Sequence, residues 1–247
     1  MATVYELYYW PSIQGRGEFV RLSLEEAGAT YVDVARGKGG VPAMMKMMKG
    51  SKAQAPVFAP PFLKHGKLVI AQTSNILAYL GPRLGLVPAD ESARARALEI
   101  QLTIADLVVE AHDTHHPIAI GQYYEDQTAE AKKRAAEFTA HRIPKFLGWL
   151  EARLAHNGGK HLVGRRVSYA DLSAFQAVDG LAYAFPNAMA GLKRRIPKLL
   201  ALRDAMAARP RVAAYLASPR RIPFNEDGIF RRYPELDPKK HKAAALD

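Results

Sequence analysis

Residues 59–81 read APPFLKHGKLVIAQTSNILAYLG. The pattern predicts a proline turn, two short strands joined by a hairpin at Gly66, and a helix that continues through Leu80. Consecutive prolines before a strand are unusual because proline lacks the N–H that a ladder needs, and the X-Pro bond is a candidate for the cis form. Gln72 and Thr73 supply polar side chains and free N–H groups at the helix start, where a carboxylate is attracted. The stretch therefore predicts a small-molecule binding site beside a proline turn.

The composition is that of a globular protein that has no thiol group of its own. The chain has 247 residues, of which 49% are apolar and 24% charged, and it contains no cysteine. Disulfides, thiolate metal sites and a cysteine nucleophile are excluded, so any reacting thiol must come from a ligand. No apolar run reaches the ~20 residues that span a bilayer, and the first residues do not resemble a signal peptide, so we expect a cytoplasmic protein without a membrane partner.

The net charge of +11 favours anionic partners, which include small anionic substrates as well as nucleic acid. No aromatic-interleaved basic motif of a nucleic-acid module is present, so no nucleic acid partner is expected. Much of the excess charge lies in clusters for which a solvated surface or tail is the expected setting: Arg220-Arg221, Arg231-Arg232 and Lys239-Lys240-His241-Lys242.

Strand and helix patterns mix in the first third of the chain and helical patterns fill the rest. The predicted early elements are a strand at Tyr5–Trp10, a helix at Gly17–Ala27 ended by Gly28, a strand at Thr30–Val34, and an irregular region at 36–56 with at most one short helix. The predicted later helices are 91–113, 128–156 with a kink at Pro144, 169–184, 195–208 and 211–217. We therefore expect a domain at 1–83, a linker at 84–90 and a helical domain at 91–247 whose tail from Ser218 is extended.

Four motifs in this order resemble the cytosolic glutathione transferases, over nearly all of the chain to about Leu216. The motifs are Tyr8-Tyr9-Trp10-Pro11 followed by GRGEFVRL at 15–22, Pro61-x-Leu63 followed by Gly66, Gln72-Thr73, and Gly164-x-x-x-Ser168-x-Ala170-Asp171. The resemblance is to a tyrosine-type, bacterial-like member. It implies a thioredoxin-like α/β N-terminal domain, an all-α C-terminal domain and a homodimer that transfers glutathione to a hydrophobic electrophile.

The same resemblance implies a role for each matching residue. Tyr9, at the end of the first strand, would activate the glutathione thiol, with Tyr8 and Ser12 as fallbacks, Ser12 because serine does this in other classes of the family. Expected glutathione contacts are Trp10, Lys52 with the glycyl carboxylate, Pro60 through its backbone, Gln72 and Thr73 with the γ-glutamyl group, and Asp106 lent by the neighbouring subunit. Expected structural residues are Arg16, Pro61 at the cis turn, and the capping pair Ser168 and Asp171.

Two alternatives compete with this interpretation. His112, His115 and His116 share a spacing that metal sites use, but without further placed ligands we expect no metal and place them at the opening of the second-substrate site or in solvent. Tyr123, Tyr124, Tyr183 and Phe224 are candidates for the same opening or for the core. The chain could also be a glutathione-fold ligand carrier or interaction module with little turnover.

Overall fold

The computed structural model describes residues 4–237 and 239. A four-stranded sheet with the order β2-β1-β3-β4 forms the centre of the N-terminal part. Its strands are β1 (Tyr5–Tyr8), β2 (Tyr31–Asp33), β3 (Phe62–His65) and β4 (Leu68–Ala71), with β1 parallel to β2 and antiparallel to β3, and β3 antiparallel to β4. The predicted first strand is shorter than expected, because pairing ends at Tyr8 opposite Phe62.

Three helices accompany this sheet: α1 (Gly17–Ala27), α2 (Gly40–Lys49) and α3 (Thr73–Arg83). Helix α1 has the predicted bounds, and Gly28 ends it with a φ of 64°, a left-handed conformation that glycine adopts without a steric cost. Helix α3 continues beyond the predicted end at Leu80, and Pro82 lies within its last turn. Gly81 is required there, because a Cβ atom would lie 2.8 Å from the ring of Tyr169.

The remainder of the described chain is helical. Its helices are α4 (Glu91–Asp113), α5 (Thr128–Glu137), α6 (Ile143–His156), α7 (Tyr169–Ala184), α8 (Pro186–Leu192), α9 (Pro197–Ala207) and α10 (Pro210–Leu216). The segment predicted as one helix at 128–156 is α5 and α6 joined by a π turn at Phe138–Arg142, immediately before Pro144. Helix α7 is buried along nearly its whole length and forms the centre of the larger core. The fold is a thioredoxin-like α/β domain followed by an all-α domain, as predicted.

The tail after α10 crosses back over both domains. It has no strand, and its one regular element is a short 3₁₀ turn at Pro234–Leu236, within the residues described. Asn225 donates to the Ser12 carbonyl at 2.8 Å, and Asp237 accepts from the N–H groups of Asn187 and Ala188 at 2.7 and 3.0 Å. Residues 240–247, which include most of the predicted basic cluster from Lys239, lie outside the described residues.

Candidate functional site

A small cavity lies where the start of α3 meets α1 and α4. Its volume is about 50 Å³. It is lined by Arg16, Phe19, Gln72, Thr73, Ser74, Gln101, Ile104, Ala105 and Val108. The first N–H groups of α3 favour an anion, Arg16 is a cationic residue of the lining, and α4 contributes the lining residues Gln101, Ile104, Ala105 and Val108. The structure therefore brings Gln72 and Thr73, which were predicted to bind the γ-glutamyl group, into one cavity lining with Arg16, which was predicted to be structural.

Gln72 has a backbone conformation that side-chain-bearing residues rarely adopt. Its φ is 70°, and it is the one non-glycine residue with a positive φ in the described chain. Such a conformation costs on the order of 1–3 kcal/mol and persists where the surroundings enforce it, most often at binding sites. Gln72 is exposed, whereas Thr73 is buried and its hydroxyl donates to the Arg16 carbonyl at 3.3 Å. This bond ties the start of α3 to the turn that opens α1.

Tyr9 lies beneath that same turn. Its ring packs against Gly15 and Gly17, where an added Cβ would come within 2.1 Å of the Tyr9 hydroxyl oxygen and 2.6 Å of the ring, respectively. The hydroxyl oxygen accepts the N–H of Arg16 at 2.8 Å, and the hydroxyl proton has no acceptor among the described residues. Burial raises the pKa of Tyr9, while the Arg16 N–H and the Arg16 and Arg21 charges oppose that rise. Tyr9 is therefore a neutral phenol that can donate one hydrogen bond.

The two fallback hydroxyls have different surroundings. Tyr8 points to the other side of the strand, where its ring stacks on Phe62 and its hydroxyl donates to Glu6 at 2.8 Å. Burial and the Glu6 carboxylate raise the pKa of Tyr8. Ser12 is exposed in the loop after β1, and its carbonyl accepts from the tail. Tyr8 is thus separated from the turn at Arg16, whereas Ser12 lies on the same loop as that turn.

The remaining predicted contacts lie around the sheet edge and α4. The Pro60-Pro61 peptide bond is cis, as the paired prolines suggested, and Pro61 is buried directly before β3. Trp10 follows β1 and is 38% exposed, and Lys52 lies in an exposed turn. Asp106 is exposed on α4, one residue after the cavity-lining Ala105. None of these five residues lines the 50 Å³ cavity.

A buried polar network behind α1 was missed by the sequence analysis. Glu18 accepts from Tyr215 at 2.6 Å and from Arg21 at 3.2 Å, and also pairs with Arg221. The prediction that Arg221 is solvated is wrong, because its side chain is 9% exposed and also bonds Gln176 at 3.0 Å. These contacts join α1, α7, α10 and the tail.

The three histidines lie at the end of α4 and do not all face solvent. His115 is 1% exposed, and its Nε2 lies 2.9 Å from the Ile229 carbonyl. The three rings are in mutual contact, with centroids 4.9–5.0 Å apart. Among residues 4–237 and 239, no group of histidine, cysteine, aspartate or glutamate has the arrangement of a metal site.

The aromatic residues predicted near the second-substrate site divide between core and surface. Tyr124 stacks on Tyr233, Tyr183 stacks on Phe224, and Tyr123 is exposed. Phe224 and Phe230 line a second cavity of about 10 Å³, and Gly15 also lines it beside the Tyr9 hydroxyl. The tail thus forms one wall of a cavity that Gly15 borders beside the Tyr9 hydroxyl.

Gln101 is a further cavity residue that the sequence did not single out. It is 1% exposed, and its Oε1 atom is buried without a hydrogen-bond partner among the described residues. The sequence signal for it was a polar residue on the otherwise apolar face of the helix predicted at 91–113. Its meaning depends on what α4 packs against, which the sequence does not reveal.

Comparisons with known proteins agree with this architecture. Residues 112–219 match the family described as glutathione S-transferase, C-terminal domain. A glutathione S-transferase of Plasmodium yoelii yoelii is 25% identical over 83% of this chain and 90% of its own, and glutathione S-transferase P of Bos taurus is 26% identical over 91% and 98%. The solved Pi-class glutathione S-transferase of Onchocerca volvulus has a TM-score of 0.66 at 22% identity, covering 85% of this chain and 91% of its own. The chain is therefore similar in fold to solved glutathione S-transferases and, over residues 112–219, in sequence to the C-terminal domain of that family.

Proposed function

We propose that the protein is a glutathione S-transferase that activates the thiol of bound glutathione for attack on an apolar electrophile. The observation that carries the proposal is the anion-attracting cavity of Arg16, Gln72 and Thr73, which is joined through the Arg16 backbone to the Tyr9 hydroxyl. The relatives named above are glutathione S-transferases, which agrees with the proposal. Glutathione is the co-substrate, and no metal is part of the proposal.

Thiol activation is the chemical requirement of this function. A free thiol with a pKa of ~8.5 is only about 3% thiolate at pH 7, and lowering that pKa by about two units makes it mostly thiolate. The change corresponds to about 2.7 kcal/mol of preferential thiolate stabilisation. A hydrogen bond to a charged group contributes about 1.5–3 kcal/mol, so one hydroxyl donor in a partly dry site supplies most of it.

Tyr9 is the proposed donor, which makes the protein a tyrosine-type member. Its hydroxyl oxygen already accepts the Arg16 N–H, and this bond polarises the O–H for donation to sulfur. Tyr8 already donates to Glu6 and is directed elsewhere. Ser12 remains the rival hydroxyl because it lies exposed on the adjoining loop. The bacterial-like description rests on the sequence motifs alone, since the relatives named above are eukaryotic.

The proposal places the rest of glutathione along the edge of the sheet. Gln72 and Thr73 hold the γ-glutamyl carboxylate at the start of α3, and the Pro60 carbonyl accepts from the cysteinyl N–H as an added strand would. Pro60 has no N–H to return, so one of the two strand-like bonds is missing. Lys52 meets the glycyl carboxylate, and Trp10 closes the side of the pocket.

A cytoplasmic homodimer is the proposed assembly, in which Asp106 of one copy reaches the glutathione of the other. Its support is apolar surface near the site: Phe58 is 93% exposed beside the Pro60-Pro61 turn, and Leu102 and Val109 are about half exposed on α4. Exposed apolar surface marks a protein interface when it forms a contiguous patch, and the proposed dimer would join these side chains into one. No helix of the described residues is both long and apolar enough to cross a membrane.

Retention on immobilised glutathione followed by turnover of chlorodinitrobenzene tests the proposal. Binding with turnover is expected, whereas binding without turnover of any electrophile tested would favour a ligand carrier. The thiolate absorbance of bound glutathione, followed against pH, then tests the donor. Tyr9→Phe should raise the pKa of the bound thiol by about one to two units with little loss of affinity, since one charge-assisted bond is removed.

Tyr8→Phe is the matched control for that measurement, because it removes the same atom on the opposite face of the strand. It should leave the thiol pKa unchanged. If Ser12→Ala raises the thiol pKa and Tyr9→Phe does not, the donor assignment is wrong while the transferase proposal stands.

A further inference from the structure

A series of hydrogen bonds that begins and ends in the tail passes through the turn before α1. Gln14 donates from Nε2 to the Ile222 carbonyl at 2.6 Å, and its Oε1 accepts from the Gln176 amide of α7 at 2.8 Å. The Gln176 Oε1 in turn accepts from Arg221 at 3.0 Å. A guanidinium can only donate and a carbonyl can only accept, so the two adjacent tail residues fix the orientation of both amides.

Gln14 is buried, and its backbone is bonded as well as its side chain. It is 5% exposed, and its carbonyl accepts from the Glu18 N–H at 3.0 Å and from the Arg21 guanidinium at 3.3 Å. Helix α1 therefore begins on the Gln14 carbonyl, while α7 and the tail hold the Gln14 amide. Because buried polar groups strongly favour the arrangement in which their bonds are made, three elements together fix the conformation of this residue.

The two residues that follow Gln14 contact the Tyr9 hydroxyl. Gly15 has a φ of 45°, and an added Cβ there would lie 2.1 Å from the hydroxyl oxygen. The Arg16 N–H donates to the same oxygen at 2.8 Å. A rotation of the backbone at Gln14 would therefore move the N–H that orients the Tyr9 hydroxyl.

We propose that Gln14 is a positioning residue that couples the packing of the tail to the orientation of the Tyr9 hydroxyl. While Ile222 and Gln176 hold the amide, the Arg16 N–H stays aligned on the hydroxyl oxygen and leaves its proton for the thiol. When the amide is unpaired, the turn relaxes and the hydroxyl loses its fixed direction. The inference rests on the proposed function and deepens it, because it makes the packed tail a condition for full thiol activation.

A double-mutant cycle on the pKa of the bound thiol tests this role. The thiolate absorbance of bound glutathione is followed against pH in the full chain carrying Gln14→Leu, Tyr9→Phe or both. Gln14→Leu alone should raise the thiol pKa by roughly 0.5 unit, less than Tyr9→Phe does, since the hydroxyl is loosened and not removed. In the Tyr9→Phe background it should change nothing further, because its effect passes through the hydroxyl. Additive shifts, or no shift from Gln14→Leu, would overturn the assignment.

Gln127→Leu is the matched control for lost stability. Gln127 is 1% exposed, and its amide bonds the Ile118 N–H at 2.9 Å and the Ala119 carbonyl at 3.1 Å, neither of which belongs to the turn before α1. This variant should melt at a lower temperature, as Gln14→Leu should, yet leave the thiol pKa unchanged. An equal rise of the thiol pKa in both variants would overturn the assignment, because general loosening would then explain it.

Gln176→Met provides the test if Gln14→Leu does not fold. Among the described residues, the side chain of Gln176 bonds the turn only through Gln14 Oε1. Gln176→Met should therefore raise the thiol pKa in the same direction, and an unchanged thiol pKa would overturn the assignment. If Ser12→Ala raises the thiol pKa and Tyr9→Phe does not, the assignment fails while the transferase proposal stands. Absence of any glutathione binding by the unmodified chain would instead contradict the proposed function itself.

Discussion

Replacing Asp171 by alanine should destabilise the helical domain far more than an ordinary capping substitution does. Asp171 is fully buried at the start of α7, where it forms a capping box with Ser168. Its carboxylate accepts from the Ser168 N–H at 2.7 Å, the Ser168 hydroxyl at 2.8 Å and the Leu162 N–H at 2.7 Å. The last bond adds a second segment of chain to the box, so one side chain fixes both the helix start and the loop before it.

The magnitude follows from the donors left behind. The Ser168 hydroxyl can rotate to another acceptor, but the two backbone N–H groups cannot, and each buried unsatisfied donor costs about 1–3 kcal/mol. Asp171→Ala should therefore lower the free energy of unfolding by about 2–6 kcal/mol, against the roughly 1 kcal/mol typical of an exposed cap. At about 2–4 °C per kcal/mol, a loss of about 4 kcal/mol lowers the melting temperature by about 8–16 °C.

Thermal melts followed by circular dichroism measure this effect, with Asp204→Ala as the control. Asp204 is also a helical aspartate, but it is 65% exposed and, among the described residues, its side chain pairs only with the adjacent Arg203. Its loss should therefore change the melting temperature little. Asp171→Asn keeps one acceptor oxygen, so its melting temperature should lie between those of Asp171→Ala and Asp204→Ala. Folded Asp171→Ala should still bind glutathione, since the capping box does not line the site. A melting temperature within about 2 °C of the unmodified protein would refute the reasoning about buried donors.

Two further predictions concern the tail and the histidines. A Cβ at Gly180 would lie 2.3 Å from the Phe230 ring, so Gly180→Ala should displace the tail and speed proteolysis of the tail. The control is Gly191→Ala, whose added Cβ meets nothing within 4 Å and which should leave the rate of proteolysis unchanged. Burial and Arg231 lower the pKa of His115 to about 2, so His115 stays neutral in the folded protein while the unfolded chain takes up a proton near pH 6.5. The free energy of unfolding should therefore fall as the pH drops below about 6.5, and this group contributes up to about 1.4 kcal/mol per pH unit to that fall. Urea titrations of His115→Gln should show a smaller dependence of the unfolding free energy on pH. An unchanged dependence would contradict the prediction.

The parts of the fold that the sequence predicted well are those with local signals. Gly28 ends α1 and the Ser168–Asp171 pair begins α7, because both act within a few residues along the chain. The break at Pro144 was also local, although its form as a π turn was not predictable from the missing N–H alone. The start of α3 at Thr73 was predictable because a helix start and its polar residues are adjacent in sequence.

Long-range pairings account for what the sequence did not reveal. Arg221 stood in a run of basic residues and was expected to be solvated, yet its partner Glu18 lies 203 positions earlier. Gln101 was not distinguishable from a solvated glutamine until α4 was placed against the start of α3. His115 is buried because the tail returns over α4, a contact between residues 114 positions apart. Such pairings depend on topology, which no run of neighbouring residues encodes.

The pairing of Glu18 also imposes an order on biosynthesis. Arg21 is the one partner of this carboxylate that the ribosome supplies early, because Tyr215 and Arg221 follow 197 and 203 residues later. At about 5–20 residues per second, the N-terminal domain waits roughly 10–40 s for those partners. During that interval the Glu18 carboxylate oxygen that later contacts Tyr215 and Arg221 remains hydrated. The first domain therefore gains its full set of Glu18 contacts only when the last helix and the tail have left the ribosome.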